Sequence, residues 1–200
     1  SCIIFGQSPF IVHNIIDTAD GAEKVLAKDI DGDGDIDIIY SAKQDDKLGL
    51  LINDGSENFM DHIISINMNS TTDIEAADID NDGYIDIVST DYSGTYNISW
   101  HKNDAFGNFT SIPIPNSIYG PYDIEVFDLD GDTDNDLIVG CTSSDNVLWY
   151  ENDGSGTFTE HEIASGMDYT REVSVIDLDN DGDLDILSTA EGEDKVYWHK

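Results

Sequence analysis

The sequence predicts an all-β chain folded as a β-propeller of four-stranded antiparallel blades, and three observations lead there. A nine-residue acidic string recurs four times, starting at Asp29, Asp78, Asp128 and Asp177 in steps of 49, 50 and 49 residues. A fixed period of this length marks a solenoid, propeller or array. Apolar residues alternate at period two around each string, as in half-buried strands. Short β-rich runs are ended by Gly, Ser, Asn and Asp clusters, with no helical period between them.

Within a repeat, Val25/Ala27, Ile74/Ala76, Ile124/Val126 and Val173/Val175 mark first strands that run into the acidic loops. Second strands follow at Ile36–Tyr40, Ile85–Val88, Leu137–Val139 and Leu184–Leu187, and third strands at Leu48–Ile52, Ile98–Lys102, Val147–Tyr150 and Val196–His199. Fourth strands start at Phe59, Phe109 and Phe158, each with a residue at +3 (His62, Ile112, His161) and an Ile at +5. Phe10, His13 and Ile15 repeat that fourth-strand pattern at the N-terminus, and the last repeat stops after its third strand. The expectation is one domain, 1–200, with repeats at 17–66, 67–115, 116–164 and 165–200 plus 1–16. The N-terminal strand would complete the last blade and close a four-bladed ring, hiding sheet edges that invite aggregation. The alternatives are part of a seven-bladed propeller, or a strand exchanged into a neighbour to build a head-to-tail polymer.

The loops read Asp-x-Asp-x-Asp-Gly-x-x-Asp, with carboxylates at positions 1, 3, 5 and 9 and a backbone carbonyl at position 7. Hard oxygen donors in that number suit calcium, and without a cation the carboxylates repel one another. The expected ligands are Asp29, Asp31, Asp33, Asp35 and Asp37; Asp78, Asp80, Asp82, Tyr84 and Asp86; Asp128, Asp130, Asp132, Asp134 and Asp136; and Asp177, Asp179, Asp181, Asp183 and Asp185. Asp35, Tyr84, Asp134 and Asp183 contribute their carbonyls. Up to four calcium ions follow. The third site is expected to be distorted or weaker, because Thr133 replaces Gly34, Gly83 and Gly182 and a β-branched residue resists positive φ. Asp and Gly dominate ordinary turns too, but four copies in one register argue against that reading. An EF-hand is excluded because position 12 holds Tyr40, Ser89, Val139 and Ser188 in place of Glu.

These loops, with strand motifs such as Trp149-Tyr-Glu-Asn-Asp-Gly-Ser-Gly-Thr-Phe158, resemble the FG-GAP/VCBS repeats of integrin α-subunit propellers, bacterial surface proteins and some fungal lectins. The resemblance covers nearly the whole chain and implies a calcium-binding propeller whose relatives bind proteins or sugars. Two departures stand out. The family is usually seven-bladed, and its Phe-Gly and Gly-Ala-Pro signatures survive only as Phe5-Gly6, Phe106-Gly107 and Gly120-Pro121.

Eight basic against 43 acidic residues give a net charge of −35. That surface repels phosphates and anionic headgroups, so nucleic acid and membranes are not expected partners. No apolar run approaches the ~20 residues that span a bilayer. Calcium loops of modest affinity fill outside the cell, which points to a secreted or cell-surface protein. Cys2 and Cys141 are expected to be free thiols.

Strand alternation puts loops 1–2 and 3–4 on the calcium face and loops 2–3 and 4–1 on the other. The second face gathers Tyr92, Tyr96, Tyr119, Tyr122, Tyr169 and Arg171, which suit a sugar or an acidic peptide. Trp100, Trp149 and Trp198, and His13, His62 and His161, recur at fixed blade positions and are expected to pack. Glu75 and Glu125 are expected as polar groups at blade contacts. No nucleophile elbow, zinc-protease or phosphate-loop motif is present, so no enzyme activity is expected. The functional expectation is an adhesion or structural module rigidified by calcium, with protein or glycan partners at the cell surface. A lectin and a strand-exchanged fibre subunit are the alternatives.

Overall fold

The computed structural model describes residues 11–68, 70–93, 97–115 and 117–200. Cys2, Phe10 and Tyr96, named above, lie outside them. Four antiparallel sheets, which we call blades, follow one another along the chain. Blade 1 holds β1 (Ala22–Lys28), β2 (Asp37–Ala42), β3 (Lys47–Asn53) and β4 (Phe59–Ser65), paired in that order. Blade 2 repeats it with β5 (Thr71–Ala77), β6 (Asp86–Asp91), β7 (Ile98–Asn103) and β8 (Phe109–Pro113), and blade 3 with β9 (Pro121–Phe127), β10 (Asp136–Cys141), β11 (Asn146–Asn152) and β12 (Phe158–Ser165). Blade 4 has three strands, β13 (Thr170–Ile176), β14 (Asp185–Ala190) and β15 (Lys195–His199), with one 3-10 turn at Glu191–Glu193.

The second strand of each sheet lies between two neighbours and is the most deeply buried, whereas the fourth strands are half exposed. The blades stack face to face through three apolar clusters. One joins Ile39, Leu48 and Leu50 of blade 1 to Ile74, Ala76 and Ile87 of blade 2. The next joins Val88, Ile98 and Trp100 to Ile124, Leu137 and Tyr150, and the last joins Ile138 and Val147 to Val173 and Ile186. Each fully buried aliphatic side chain contributes about 1.5–3 kcal/mol, so these contacts hold the assembly together. Of the recurring tryptophans expected to pack, Trp100 lies in the second cluster, where a Cβ on Gly156 of the next blade would lie 2.3 Å from its ring, whereas Trp198 is 49% exposed.

The first strands pack in series, β1 on β5, β5 on β9 and β9 on β13, with no comparable packing of β13 on β1 among the described residues. Closure of the ring by the N-terminal segment is not seen among the described residues. Residues 11–16 form no strand; Ile16 and Ala19 instead cover Tyr40, Ala42 and Leu51 of blade 1, and His13 to Ile15 lie beside Phe59. Burial against the adjacent blade needs a much shorter loop than reaching blade 4, and loop-closure entropy favours the nearer site.

Candidate functional site: the acidic loops and the axial cleft

Every loop between first and second strands folds into the same turn. Position 6 takes a left-handed backbone in all four, with φ of 96° at Gly34, 89° at Gly83, 81° at Thr133 and 98° at Gly182. In each, its N–H donates to the first aspartate, at 3.0 Å for Asp29, 2.8 Å for Asp78, 3.0 Å for Asp128 and 3.1 Å for Asp177. The backbone distortion expected in the third loop does not occur; Thr133 adopts the glycine conformation and carries the strain.

The turn converges carboxylates. One oxygen from each member of Asp29/Asp31/Asp33, Asp78/Asp80/Asp86, Asp128/Asp130/Asp132 and Asp177/Asp179/Asp185 lies within 4.8 Å of the others in its group, so each triad could hold a metal ion. The donors fit a hard divalent cation: all are carboxylate oxygens, and Asp80 Oδ1 is buried with no hydrogen-bond partner. Burial and the neighbouring aspartates push the carboxyl of Asp31 above its ordinary range, the electrostatic conflict that a cation would relieve. Asp33 joins the first triad and Asp132 the third, whereas Asp82 and Asp181 stand outside theirs.

A cation already explains that difference. Lys102, at the end of β7, reaches Asp80 and lies 3.0 Å from Asp82; Lys200 reaches Asp179 and lies 3.0 Å from Asp181. The corresponding residues in the other blades are Ile52 and Glu151, as the shared final Asn53, Asn103 and Asn152 show. Two of the four loops thus carry a tethered ammonium. Sequence reading missed it because the lysine sits one strand away from the loop it enters.

Position 9 has a role that the sequence hid. Asp37, Asp86 and Asp136 are fully buried, and each accepts two backbone N–H groups. Their partners are Ile30 at 2.9 Å and Asn53 at 2.8 Å, Ile79 at 3.3 Å and Asn103 at 2.7 Å, and Leu129 at 3.2 Å and Asn152 at 2.8 Å. Asp185 accepts from Leu178 at 2.9 Å. These side chains clamp the loop to the end of the third strand. The position-7 residues follow at the loop exit, where their N–H groups donate to Asp33, Asp82, Asp132 and Asp181.

On the opposite face, first strands slip register by a bulge at Ala22/Val25, Thr71/Asp73, Pro121/Asp123 and Thr170/Val173. Bulges re-aim side chains and recur beside functional sites. Here they serve a cleft of about 290 Å³ to which all four blades contribute, its lining including Lys24, Lys43, Tyr92, Tyr122, Tyr169 and Arg171. Four of the six expected ligand residues meet there. Arg171 lies over the Tyr122 ring at 4.4 Å, and the Tyr92 hydroxyl accepts from Ser143 at 3.1 Å. Tyr119 does not line the cleft; its N–H donates to Ser144 at 2.7 Å and its ring is exposed. Lys24 and Lys43 were missed, because nothing in a first strand or a short turn marks them as neighbours of Arg171.

Below the cleft, Lys24 pairs with Asp73 at 3.0 Å, and Asp73 accepts from the Ile124 N–H at 3.3 Å. Asp123 accepts from the Val173 N–H at 2.7 Å. Burial, then a hydrogen bond with Asp73, raises the Asp123 carboxyl far above the usual range. Glu75 is pushed up to about 6 by burial, then by Glu125 and Asp73. The expected polar contact of Glu75 and Glu125 is therefore part of a carboxylate column along the first strands. Cys141 is buried and free, and burial raises its thiol to about 12, which leaves it unreactive.

A profile of the FG-GAP-like repeat matches residues 29–89, 78–139 and 128–188, each match running from one acidic loop past the next. The chain belongs to the FG-GAP-like repeat family. Among solved structures, this FG-GAP-like chain is similar to an Agrocybe aegerita lectin solved for its recognition of non-reducing terminal N-acetylglucosamine, at 19% identity and a TM-score of 0.60, over 82% of this chain and 46% of the lectin. It also matches the Vibrio cholerae biofilm matrix protein Bap1 at 23% identity and a TM-score of 0.46, over 82% of this chain and 27% of that one. The chain thus spans less than half the length of either structure. No curated protein sequence matches it significantly. No helix among the described residues is long and apolar enough to cross a membrane.

Proposed function

We propose that this FG-GAP-like chain is a calcium-stiffened binding module of the extracellular space, in which ions lock the loops between first and second strands and the opposite face meets a protein or glycan. The observation that carries this reading is the recurrence of one carboxylate cluster at the same loop of all four blades. The ions would be held by the aspartate triads, with the position-7 carbonyls of Asp35, Tyr84, Asp134 and Asp183 as further donors. A ligand that binds only the folded state stabilises it by about 2.7 kcal/mol per site at a hundredfold excess over its dissociation constant. Calorimetric scans with millimolar calcium and with chelator test the reading. A melting temperature raised by ten degrees or more in calcium is expected, and coincident scans would overturn it.

A glycan as the ligand is favoured by the cleft, where three tyrosines stand among Lys24, Lys43 and Arg171. The fold shared with a lectin is consistent with it. Aromatic faces stack on sugar rings, and the cations would accept hydroxyl or carboxylate oxygens. Tyr122→Ala should abolish binding on a glycan array while leaving the calcium-dependent melting shift in place. A catalytic role is not part of the proposal: the carboxylates outside the loops serve as contacts between blades.

A further inference from the structure

One backbone frame recurs in all four blades on the face opposite the acidic loops, and each blade sets a different side chain on it. At the turn after the second strand, the N–H groups of Lys43, Tyr92, Thr142 and Glu191 donate to the carbonyls of Gly21, Ser70, Gly120 and Tyr169 at 3.0, 3.0, 2.9 and 3.0 Å. The first-strand bulges hold Glu23, Thr72, Tyr122 and Arg171 at one equivalent position, and all four line the cleft. Positions that serve the blade keep their residue, as the buried aspartates at loop position 9 do. These keep the backbone and vary the chemistry, the pattern of a surface built to contact something else.

The charge of the cleft narrows what that is. Acids outnumber bases 43 to 8 in the chain, yet Lys24, Lys43 and Arg171 line the cleft, with Glu23 the one acid among its described lining residues. Lys24 is committed to Asp73 beneath. Lys43 and Arg171 are held by Glu23 at 3.7 Å and by Glu191 at 2.5 Å, with all four side chains at least a third exposed. Such pairs contribute little and yield to a better-placed acid. Arg171 is fixed at the cleft wall over the Tyr122 ring. Thr72 and Thr142 spend their hydroxyl protons on the carbonyls of Pro121 and Thr170, both at 2.9 Å, so the charged donors that face a ligand are Lys43 and Arg171.

Resting on the glycan reading of this cleft, we propose that its ligand is an acidic saccharide, a uronate whose carboxylate is bound by Arg171 and Lys43 while its ring lies against the tyrosines. A neutral sugar would leave both cations bound only to glutamates. A densely charged polymer such as nucleic acid is repelled by the net charge of −35, whereas a uronate brings a single carboxylate to a locally cationic spot. The cleft, at about 290 Å³, is at the small end of ligand pockets and suits the acidic sugar itself more than a long chain.

An array of hyaluronan, unsulfated chondroitin and glucuronoxylan oligosaccharides, each beside its carboxyl-reduced form, tests it, with titration calorimetry on the best-bound pair in millimolar calcium. A uronate form should bind at least about tenfold more tightly than its reduced partner, the worth of a charge-assisted hydrogen bond, and should weaken as salt is raised. Arg171→Gln and Lys43→Gln should each reduce that preference with the melting temperature unchanged, and together abolish it. Glu191→Gln, which frees Arg171, should strengthen uronate binding and leave the reduced form unaffected. Equal binding of uronate and reduced forms would overturn the proposal while the glycan reading stands, and an array silent for both forms would overturn the two together. A preference that survives the double variant, or uronate binding weakened by Glu191→Gln, would also overturn it, since the cations would then serve the glutamates and not the ligand.

Discussion

Thr133 shows how one residue sets the quality of a site. Its φ of 81° falls where L side chains pay roughly 1–2 kcal/mol and glycine pays almost nothing. Thr133→Gly should therefore stabilise the protein by about 1 kcal/mol, seen as a melting temperature higher by roughly 2–4 °C, and should tighten calcium binding at the third loop in titration calorimetry; an unchanged melting temperature would show that the loop tolerates threonine without strain. Lys102 acts in the opposite sense. Its ammonium meets Asp80 and Asp82, so a calcium ion at the second loop must displace it. Lys102→Met should raise the affinity of that loop several-fold and strengthen its salt dependence, because the loop becomes more negative, whereas Ile52→Met in the first loop should leave affinity unchanged. The aspartates and their ligand chemistry were legible in the string itself. The lysines were not, because their proximity follows from β7 and β15 running back beside the loops.

At the scale of the element, the acidic loop is first of all a strand connection. The position-9 aspartate accepts N–H groups from the loop start and from the end of the third strand, so the hairpin of second and third strands fixes the loop with no ion present. Asp136→Asn is the discriminating change. The amide keeps one acceptor but turns an NH2 toward the N–H of Leu129 or Asn152, leaving a buried donor unmade at a cost of about 1–3 kcal/mol. The loss should appear in urea denaturation equally with and without calcium, whereas a pure ligand role would show only with calcium. Sequence predicted aspartate here and predicted calcium; it could not separate clamp from ligand, since both uses call for a short carboxylate. The strand starts at Phe59, Phe109 and Phe158 were legible, because phenylalanine directly after an Asn or Thr that closes a polar turn recurs in register. The matching pattern at His13 and Ile15 forms no strand among the described residues, where Ile16 and Ala19 instead pack on Tyr40, Ala42 and Leu51.

For the whole molecule, the first-strand carboxylates that burial pushes above their ordinary range set the sign of one part of the pH response. Asp123 and Glu75 have folded-state values above their ordinary ones, so the folded protein binds more protons than the unfolded chain between those values. Their contribution to stability is complete below the unfolded carboxylate range, falls for Glu75 as pH rises through about 6, and falls for Asp123 at higher pH still. His101 works the other way: burial lowers it to about 4, so its contribution is present above the ordinary value of 6.5 and is lost as pH falls through that interval. The wild-type profile mixes the two, and a difference experiment separates them. In Asp123→Asn, the amide oxygen still accepts from the Val173 N–H and the NH2 can donate to Asp73, but nothing at that position titrates. Between pH 5 and pH 8.5 the variant should gain about 1.4 kcal/mol or more on the wild type, the equivalent of one pKa unit. Saturating calcium throughout keeps the loops from contributing to the comparison. A difference that is flat across this range would mean that Asp123 stays ionised between the blades, held by Lys24 and the backbone alone, and that the column carries no protonation coupling along the first strands.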